Sequence, residues 1–178
     1  QTAAFAAEGY ARSTGRAGVA IATSGPGATN MITGIADAFF DSIPTIFLTG
    51  QVNTYEFKYD KPVRQQGFQE TSIVEIVKPI TKYAAIINSS NDLPKELEKA
   101  YQIAISGRPG PVLLDIPMDV QRGEIKKSSA KKISPLKPRP FSLTKLSKAL
   151  AVAKRPVVLA GGGVINGRAQ NELTKFAI

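Results

Sequence analysis

The chain has 178 residues, of which 43% are hydrophobic, and its net charge is +9 at neutral pH, a length that suggests one or two domains. It contains no cysteine and no histidine, which excludes disulfides, thiolate metal sites, a cysteine nucleophile, a Ser-His-Asp triad and the common zinc sites. It has no run of about 18 apolar residues and no secretory pattern at its start, so we expect neither a transmembrane helix nor a signal peptide.

Helices and strands alternate through the first two thirds of the sequence. An alanine-rich helix is predicted over residues 1–14 and ends near Gly15, and a buried strand follows over residues 18–23. The remaining predicted elements are a helix at 26–40, a strand at 45–49, a polar loop at 52–67, a helix at 70–77, a strand at 82–88, a helix at 92–106 capped by Ser90 or Asn91, and a strand at 111–116. This alternation predicts an α/β fold with a mainly parallel sheet and helices on both faces.

Residues 121–140 are rich in lysine, serine and proline and lack periodicity, which predicts a linker. Residues 122–155 hold eleven lysines and arginines against one acid, Glu124. A solvated basic linker is favoured over a nucleic-acid surface, because Phe141 is the only aromatic residue there for base stacking. A second βα pattern then begins, with a helix at 143–153 behind Ser142, a strand at 156–160, glycines at 161–163 and a helix at 168–178. We therefore predict that residues 141–178 begin a second α/β domain.

The segment from Thr23 to Asn30 joins the first predicted strand to the next helix. Gly25 and Gly27 permit close backbone approach and unusual φ values, and Pro26 fits the first turn of a helix. A glycine turn between a strand and a helix is where α/β proteins place backbone N–H groups against a ligand. The alternative is a turn that only starts the helix, and the spacing matches neither the P-loop nor the dinucleotide-binding motif.

Three further segments follow in order: Asp41–Pro44 with Thr49–Val52, Gly67–Thr71, and Gly107–Val112 leading into Asp115–Pro117. With the glycine turn, this set resembles the thiamine-diphosphate enzymes, and most closely the large subunits of acetolactate synthases. The resemblance covers residues 1–120 well and residues 155–178 loosely. It implies that residues 1–120 are most of a pyrimidine-binding domain and that residues 141–178 begin a central domain like the FAD-binding one.

The resemblance places part of a cofactor site in the glycine turn. Gly25, Pro26, Gly27 and Asn30 would lie against the aminopyrimidine ring, although the Asn30 amide could equally serve its own helix. Gln51 is a further cofactor-binding candidate, because it ends a predicted strand and ligands gather at the carboxyl ends of strands.

Two other sets of candidates each have a structural alternative. Phe68 and Gln69 resemble the pair that borders the substrate pocket, where Phe68 would pack on a small alkyl group and Gln69 would hydrogen-bond a carboxylate or hydroxyl. Their alternative is a helix N-terminus with Phe68 as a core anchor. Arg108 matches an arginine that contacts FAD in acetolactate synthases, and its alternative is a partner for the C-terminus of helix 92–106.

The catalytic glutamate of the family is expected immediately before Gln1, where it would promote proton removal from the thiazolium carbon. The motif that binds magnesium and diphosphate, Gly-Asp-Gly followed by Asn, belongs to a later domain of the family. We therefore assign no metal ligand within residues 1–178 and expect these residues alone to be inactive.

Two features depart from typical acetolactate synthases. Met118 stands where they usually carry a lysine near the second substrate, and the loop 52–67 is several residues longer just before Phe68. Because methionine has no charge to pair with a carboxylate, we expect a different acceptor unless Arg64 or another base from the long loop replaces the lysine.

The resemblance implies an enzyme that decarboxylates a 2-oxo acid such as pyruvate and transfers the acyl-anion unit to an acceptor, as in branched-chain amino acid biosynthesis. Its cofactors would be thiamine diphosphate, Mg²⁺ and, where flavin is retained, FAD. Its partners would be the 2-oxo acid, further copies in a homodimer or homotetramer, and a regulatory subunit, in the cytoplasm and without nucleic acid or membrane. The alternatives are a related decarboxylase or carboligase with another acceptor and, in a different class, a non-catalytic domain that binds anions or nucleic acid.

Overall fold

The computed structural model describes residues 1–125 and 142–177, and the chain divides into two units, Gln1–Lys137 and Pro138–Ile178. The first unit contains the strands β1 (Gly18–Ala22), β2 (Thr45–Gln51), β3 (Tyr83–Ile86) and β4 (Val112–Pro117). Its helices are α1 (Thr2–Thr14), α2 (Pro26–Thr29), α3 (Ile32–Phe40), α4 (Ile73–Val77), α5 (Leu93–Ile105) and α6 (Met118–Arg122). Within the two described ranges, no helix has the length and apolar character needed to cross a bilayer.

The four strands form one parallel sheet in the order β1-β2-β4-β3, which confirms the predicted α/β fold. Helices α1, α3 and α4 cover one face, where Phe47 and Leu113 are fully buried. Helix α5 covers the other face, where Ala100 and Ala104 pack with Leu114. Because all strands run in the same direction, the loops that follow β1, β2 and β4 leave from one edge of the sheet, the carboxyl edge.

Helix α1 lies directly on β1. Gly15 ends the helix in the left-handed conformation with φ of 67°, as the sequence predicts. Gly18 begins the strand without space for a side chain, since an added Cβ would lie 1.9 Å from the carbonyl oxygen of Ala7. The helix and the strand are therefore in backbone contact at this point.

The single helix predicted at 26–40 is wrong, because the structure has two helices there, α2 and α3. Between them, the Met31 N–H bonds to the Ala28 carbonyl only three residues back, which tightens the turn. The side-chain amide of Asn30 also donates to the Pro26 carbonyl, at 2.7 Å. These bonds lie where α2 ends after one turn, at Thr29, and α3 begins at Ile32.

Two other helix predictions need correction. The helix in the structure is shorter than the one predicted at 70–77, because α4 begins only at Ile73 after a tight turn. The predicted cap of α5, Ser90 or Asn91, is also wrong, since Asp92 is its N-cap residue. Sequence signals place helix ends only to within about two to four residues, and both shifts, of three residues for α4 and of one or two for the cap of α5, fall within that range.

The described part of the second unit contains the helices α7 (Thr144–Val152), α8 (Gly162–Asn166) and α9 (Gln170–Ala177). The strand predicted at 156–160 is wrong, because these residues form no strand and the side chains of Val157 and Leu159 are 92% and 96% exposed. A strand needs a neighbouring strand for its backbone hydrogen bonds, and the described residues of this unit provide none. Of the predicted linker at 121–140, residues 126–140 lie outside the described residues.

Candidate functional site

The loops at the carboxyl edge of the sheet border a cavity of about 580 Å³. Its polar lining comes from Thr23, Ser24, Thr49, Gln51 and Gln121, and its apolar lining comes from Ile21, Leu48, Leu93, Ile116 and Met118. Among the described residues, this lining includes no lysine, arginine or carboxylate. The cavity therefore suits an uncharged group better than an ionised one.

The Gly25 turn lies at this edge and contacts Gln69, which is distant in sequence. Gly25 has a φ of 60°, and an added Cβ would lie 2.7 Å from the Cβ of Gln69. Gly27 is equally confined, since its added Cβ would lie 2.7 Å from the methyl group of Thr23. Contacts inside the chain thus require both glycines, and the structure brings the predicted cofactor turn against a predicted substrate residue.

Phe68 and Gln69 are the central residues of a tight turn, which the Glu70 N–H closes on the Gly67 carbonyl at 3.1 Å. Gln69 has a φ of 63°, a left-handed conformation that costs roughly 1–2 kcal/mol for a residue with a side chain. Phe68 is 81% exposed, so the alternative that made it a core anchor is wrong. The turn presents an exposed aromatic ring next to the Gly25 contact.

A buried polar network connects β2 and β4 beside the cavity. Asp115 is fully buried and accepts hydrogen bonds from the Thr49 hydroxyl at 2.6 Å and the Gln51 amide at 2.8 Å. Burial raises the pKa of Asp115 to about 6, although both hydrogen bonds favour its ionised form. The Gln51 amide also donates to the Thr71 carbonyl at 2.7 Å, and its oxygen accepts the Val52 N–H at 2.9 Å. Both ends of this amide have partners within the chain, and the contact of Gln51 with a cofactor stays a prediction.

Two further candidates bond to helix ends. The Asn30 amide donates to Pro26 within α2, so it serves its own helix in this structure. Arg108 lies at the opposite, amino edge of the sheet, where its guanidinium donates to the Ser42 hydroxyl at 2.6 Å and the Phe40 carbonyl at 3.3 Å. Arg108 therefore caps α3, and the alternative that paired it with α5 is wrong. The ligand contacts of Asn30 and Arg108 stay predictions.

An ion-pair network connects α1 to the end of α3. The Arg12 guanidinium donates to Glu8 at 2.8 Å and also bonds to Asp41. Burial raises the pKa of Glu8, a hydrogen bond with Asp37 adds to this rise, and Arg12 opposes it. The carboxylate oxygens of Glu8, Asp37 and Asp41 lie within 4.8 Å of one another, and Arg12 forms ion pairs with two of these acids, Glu8 and Asp41.

Sequence reasoning missed three carboxylates around the site: Asp115, Glu70 and Asp119. A signal for Asp115 was present, because an aspartate inside a buried apolar strand needs hydrogen-bond partners. Glu70 and Asp119 carried no such signal, since the groups that they bind are up to 12 and 65 residues away in the sequence.

Comparison with known proteins shows what this chain is similar to. Residues 1–76 match the family described as thiamine pyrophosphate enzyme, N-terminal TPP binding domain. The chain is 46% identical to a probable acetolactate synthase large subunit of Methanocaldococcus jannaschii, 46% to the acetolactate synthase large subunit of Corynebacterium glutamicum and 40% to the chloroplastic acetolactate synthase of Arabidopsis thaliana. Each comparison covers 99% of this chain but only 30%, 28% and 26% of the relative, so the chain spans less than a third of their length. Residues 1–76 are therefore similar to the N-terminal domain of thiamine pyrophosphate enzymes, and nearly the whole chain is similar to acetolactate synthases.

Proposed function

We propose that this chain is part of a thiamine-diphosphate-dependent enzyme that decarboxylates a 2-oxo acid such as pyruvate and transfers the acyl-anion unit to an acceptor. The observation that carries this proposal is the contact between the Gly25 turn and Gln69, which joins a cofactor motif to a substrate motif at one edge of the sheet. The similarity to acetolactate synthases supports the same class of reaction.

The residues at the carboxyl edge fit the pyrimidine end of thiamine diphosphate. The described lining of the cavity is uncharged, which suits a neutral ring and offers no cation to a diphosphate. We assign the ring to Gly25, Pro26, Gly27 and Asn30 together with Gln51, which lines the cavity, and assign Mg²⁺ and the diphosphate to another domain. Thiamine diphosphate, when bound, supplies the nucleophilic carbon and the electron sink for decarboxylation.

Phe68 and Gln69 would act on the substrate. The exposed ring of Phe68 would pack on the small alkyl group of the 2-oxo acid. The Gln69 amide would donate a hydrogen bond to a substrate carboxylate or hydroxyl. The close approach of Gln69 to Gly25, nearest at the Cβ of Gln69, would keep this residue beside the cofactor turn, so the substrate and the cofactor would be oriented by the same contact.

A related decarboxylase or carboligase with another acceptor is a second candidate, and Met118 favours it. Met118 lines the cavity and is partly exposed, so an acceptor would meet a thioether in place of a cation. Arg64, the alternative base, is exposed on the loop and lies outside the cavity lining. A second 2-oxo acid would bring a carboxylate that this lining leaves unpaired, which is costly.

The remaining features of the full-length protein are proposals from the family likeness. We propose domains at 1–120 and 141–178 joined by a linker, with FAD contacting Arg108 and the second domain being FAD-binding-like. Exposed apolar side chains at 157–159 support a larger sheet around the second unit. The exposed Phe68 supports a subunit contact in a homodimer or homotetramer. A regulatory subunit and a cytoplasmic location complete the proposal.

The function is tested in the full-length protein with Gln69→Ala and the matched control Gln65→Ala, an exposed glutamine of the preceding loop. With pyruvate and Mg²⁺, wild-type turnover should require thiamine diphosphate. Gln69→Ala should lower turnover about 10- to 100-fold, the effect of losing one hydrogen bond to a charged group, and Gln65→Ala should behave as wild type. Turnover without thiamine diphosphate, or equal turnover in both variants, contradicts the proposal.

The same assay separates the two acceptor classes through Met118→Lys. A lysine at this position would pair with an acceptor carboxylate, so the share of acetolactate should rise relative to donor decarboxylation. Efficient acetolactate synthesis by the unmodified enzyme, unaffected by Arg64→Ala, would exclude the second candidate and leave an ordinary acetolactate synthase.

A further inference from the structure

The long segment between β2 and the Phe68 turn, which we call the 53–66 loop, is held mainly by hydrogen bonds. It begins at Asn53 and passes through a 3₁₀ turn at Thr54–Glu56. A cavity of about 400 Å³ lies between the loop and α4, with Phe57 and Tyr59 among its loop-side walls. Because the loop does not pack tightly on the core there, polar contacts fix its position.

The first anchor of the loop is Asp119, the residue after Met118. Its carboxylate accepts the Thr54 N–H at 3.1 Å and the Thr54 hydroxyl at 2.5 Å. Burial opposes ionisation, but these bonds and the backbone N–H groups of Asp119 and Val120 hold the pKa of Asp119 below its usual value. The start of the loop is thereby tied to the neighbour of a residue that lines the proposed site.

The second anchor is Glu70, the residue after Gln69. One carboxylate oxygen accepts the Lys58 N–H and the other accepts the Gln66 N–H, each at 2.8 Å. Lys58 and Gln66 lie on opposite limbs of the loop, so one side chain joins both limbs to the Phe68 turn. A glutamine cannot replace it, because its amide has one acceptor oxygen and its NH₂ group only donates.

The loop has a defined shape between these anchors. Tyr59 adopts a left-handed φ of 45°, and its hydroxyl donates to the Thr54 carbonyl at 2.7 Å. The rings of Phe57 and Tyr59 make an edge-to-face contact with centroids 5.7 Å apart. A loop with internal contacts and two carboxylate anchors forms a surface of fixed shape, not a freely moving segment.

We propose that Glu70 is a positioning residue that, together with Asp119, fixes the 53–66 loop as the acceptor-side wall of the site. The selection of the acceptor by this wall rests on the proposed function, whereas the clamp itself rests only on the contacts of Glu70 and Asp119. A wall of fixed shape, anchored to the chain neighbours of Gln69 and Met118, admits acceptors by size and polarity. Loss of the clamp would therefore change which acceptor is used.

The clamp is tested in the full-length protein by Glu70→Gln with the matched control Glu75→Gln, whose exposed carboxylate pairs with Lys78 at 3.7 Å and with no other described residue. Trypsin cleavage after the exposed Arg64 reports opening of the loop independently of activity. Cleavage should be about 10- to 100-fold faster in Glu70→Gln, because a charged hydrogen bond no longer opposes opening. The control should be cleaved at the wild-type rate.

Thr54→Val keeps the backbone bond to Asp119 and removes the hydroxyl bond, so it should speed cleavage in the same direction by a smaller factor. If Glu70→Gln fails to fold, Thr54→Val still tests whether the carboxylate anchors hold the 53–66 loop in place. Cleavage at the wild-type rate in every folded variant overturns the clamp.

The wall is tested with two acceptor probes, pyruvate and acetaldehyde, and with pyruvate as the donor. The ratio of acetolactate to acetoin should change by about threefold or more in Glu70→Gln, with the KM for the acceptor changing more than kcat. Faster cleavage with an unchanged product ratio would show that the 53–66 loop does not select the acceptor. Absence of thiamine-dependent turnover in the wild type contradicts the proposed function instead, and the proteolysis result still decides the clamp.

Discussion

At the amino edge of the sheet, cationic side chains end helices, whereas at the carboxyl edge carboxylates hold strands and loops. Arg108 bonds to the end of α3, and the ammonium of Lys82 donates to the Ser106 carbonyl at 2.6 Å at the end of α5. Burial lowers the pKa of Lys82. At the carboxyl edge, Asp115 and Glu70 instead accept hydrogen bonds from a strand side chain and from loop N–H groups.

The direction of the chain explains this difference. In a parallel α/β sheet, the covering helices end at the amino edge, and their free carbonyl groups attract cations. At the carboxyl edge, loops leave the strands with free N–H groups, which attract carboxylates or ligands. Polar side chains at the amino edge therefore bond to helix ends, whereas those at the carboxyl edge can also bind a ligand. Substitutions at the two edges should separate stability from activity.

The largest effect is expected for Gly18→Ala at the amino edge. The new methyl group would lie 1.9 Å from the Ala7 carbonyl oxygen, so α1 must move away from β1. We expect the free energy of unfolding of the full-length protein to fall by about 3 kcal/mol or more. Gly9→Ala is the control, because its added Cβ has no neighbour within 4 Å. This substitution should stabilise α1 by about 0.5–1 kcal/mol, since alanine favours a helix more than glycine does. Equal denaturant unfolding of both variants would contradict the close contact.

A smaller effect, dependent on pH, is expected for Asp115→Asn at the carboxyl edge. Because burial holds the pKa of Asp115 at about 6, the folded chain binds more protons than the unfolded chain between about pH 4 and pH 6. The contribution of this carboxyl group to the free energy of unfolding therefore falls as the pH rises through that window. Above the window, where the group is ionised in both states, the destabilisation is complete. The free energy of unfolding of Asp115→Asn relative to wild type should rise by roughly 2–3 kcal/mol from pH 4 to pH 7.

Denaturant unfolding at a series of pH values measures this difference. Thr49→Val sharpens the test, because it removes a bond that favours the ionised carboxylate and should move the window to higher pH. Parallel stability curves for Asp115→Asn and wild type would show that the carboxyl group titrates alike in the folded and unfolded chains.

The smallest effect on stability is expected for Arg108→Ala, which should cost about 0.5–1 kcal/mol through the exposed end of α3. Arg64→Ala is the matched control, since Arg64 is exposed and makes no hydrogen bond with the described residues. If Arg108 also contacts a flavin pyrophosphate, its loss should weaken FAD binding by about 1.5–3 kcal/mol and leave the affinity for thiamine diphosphate nearly unchanged. Titration calorimetry with each cofactor distinguishes capping of α3 from flavin binding. An equal loss of affinity for both cofactors would contradict the flavin contact and show that Arg108 only caps α3.

The sequence predicts which residues are candidates for the site, but not the hydrogen-bond partners of those residues. The resemblance predicts Phe68 and Gln69 as site candidates, and the structure places Gln69 against the Gly25 turn with Phe68 exposed next to it. The resemblance also predicts a cofactor contact for Arg108, whereas its bond to Ser42, next to the end of α3, depends on the folded chain. Such a contact joins segments far apart in the chain, and no local pattern of residues encodes it.

The sequence by itself determined the α/β class, the parallel sheet and the end of α1 at Gly15, because periodicity and glycine conformation act within a few residues of the chain. Only the tertiary structure decided that residues 156–160 form no strand, since a strand depends on a neighbour. It also decided the raised pKa of Asp115 and the anchoring of the 53–66 loop by Glu70. Their hydrogen-bond partners lie up to 66 and 12 residues away, so these properties exist only once the chain is packed.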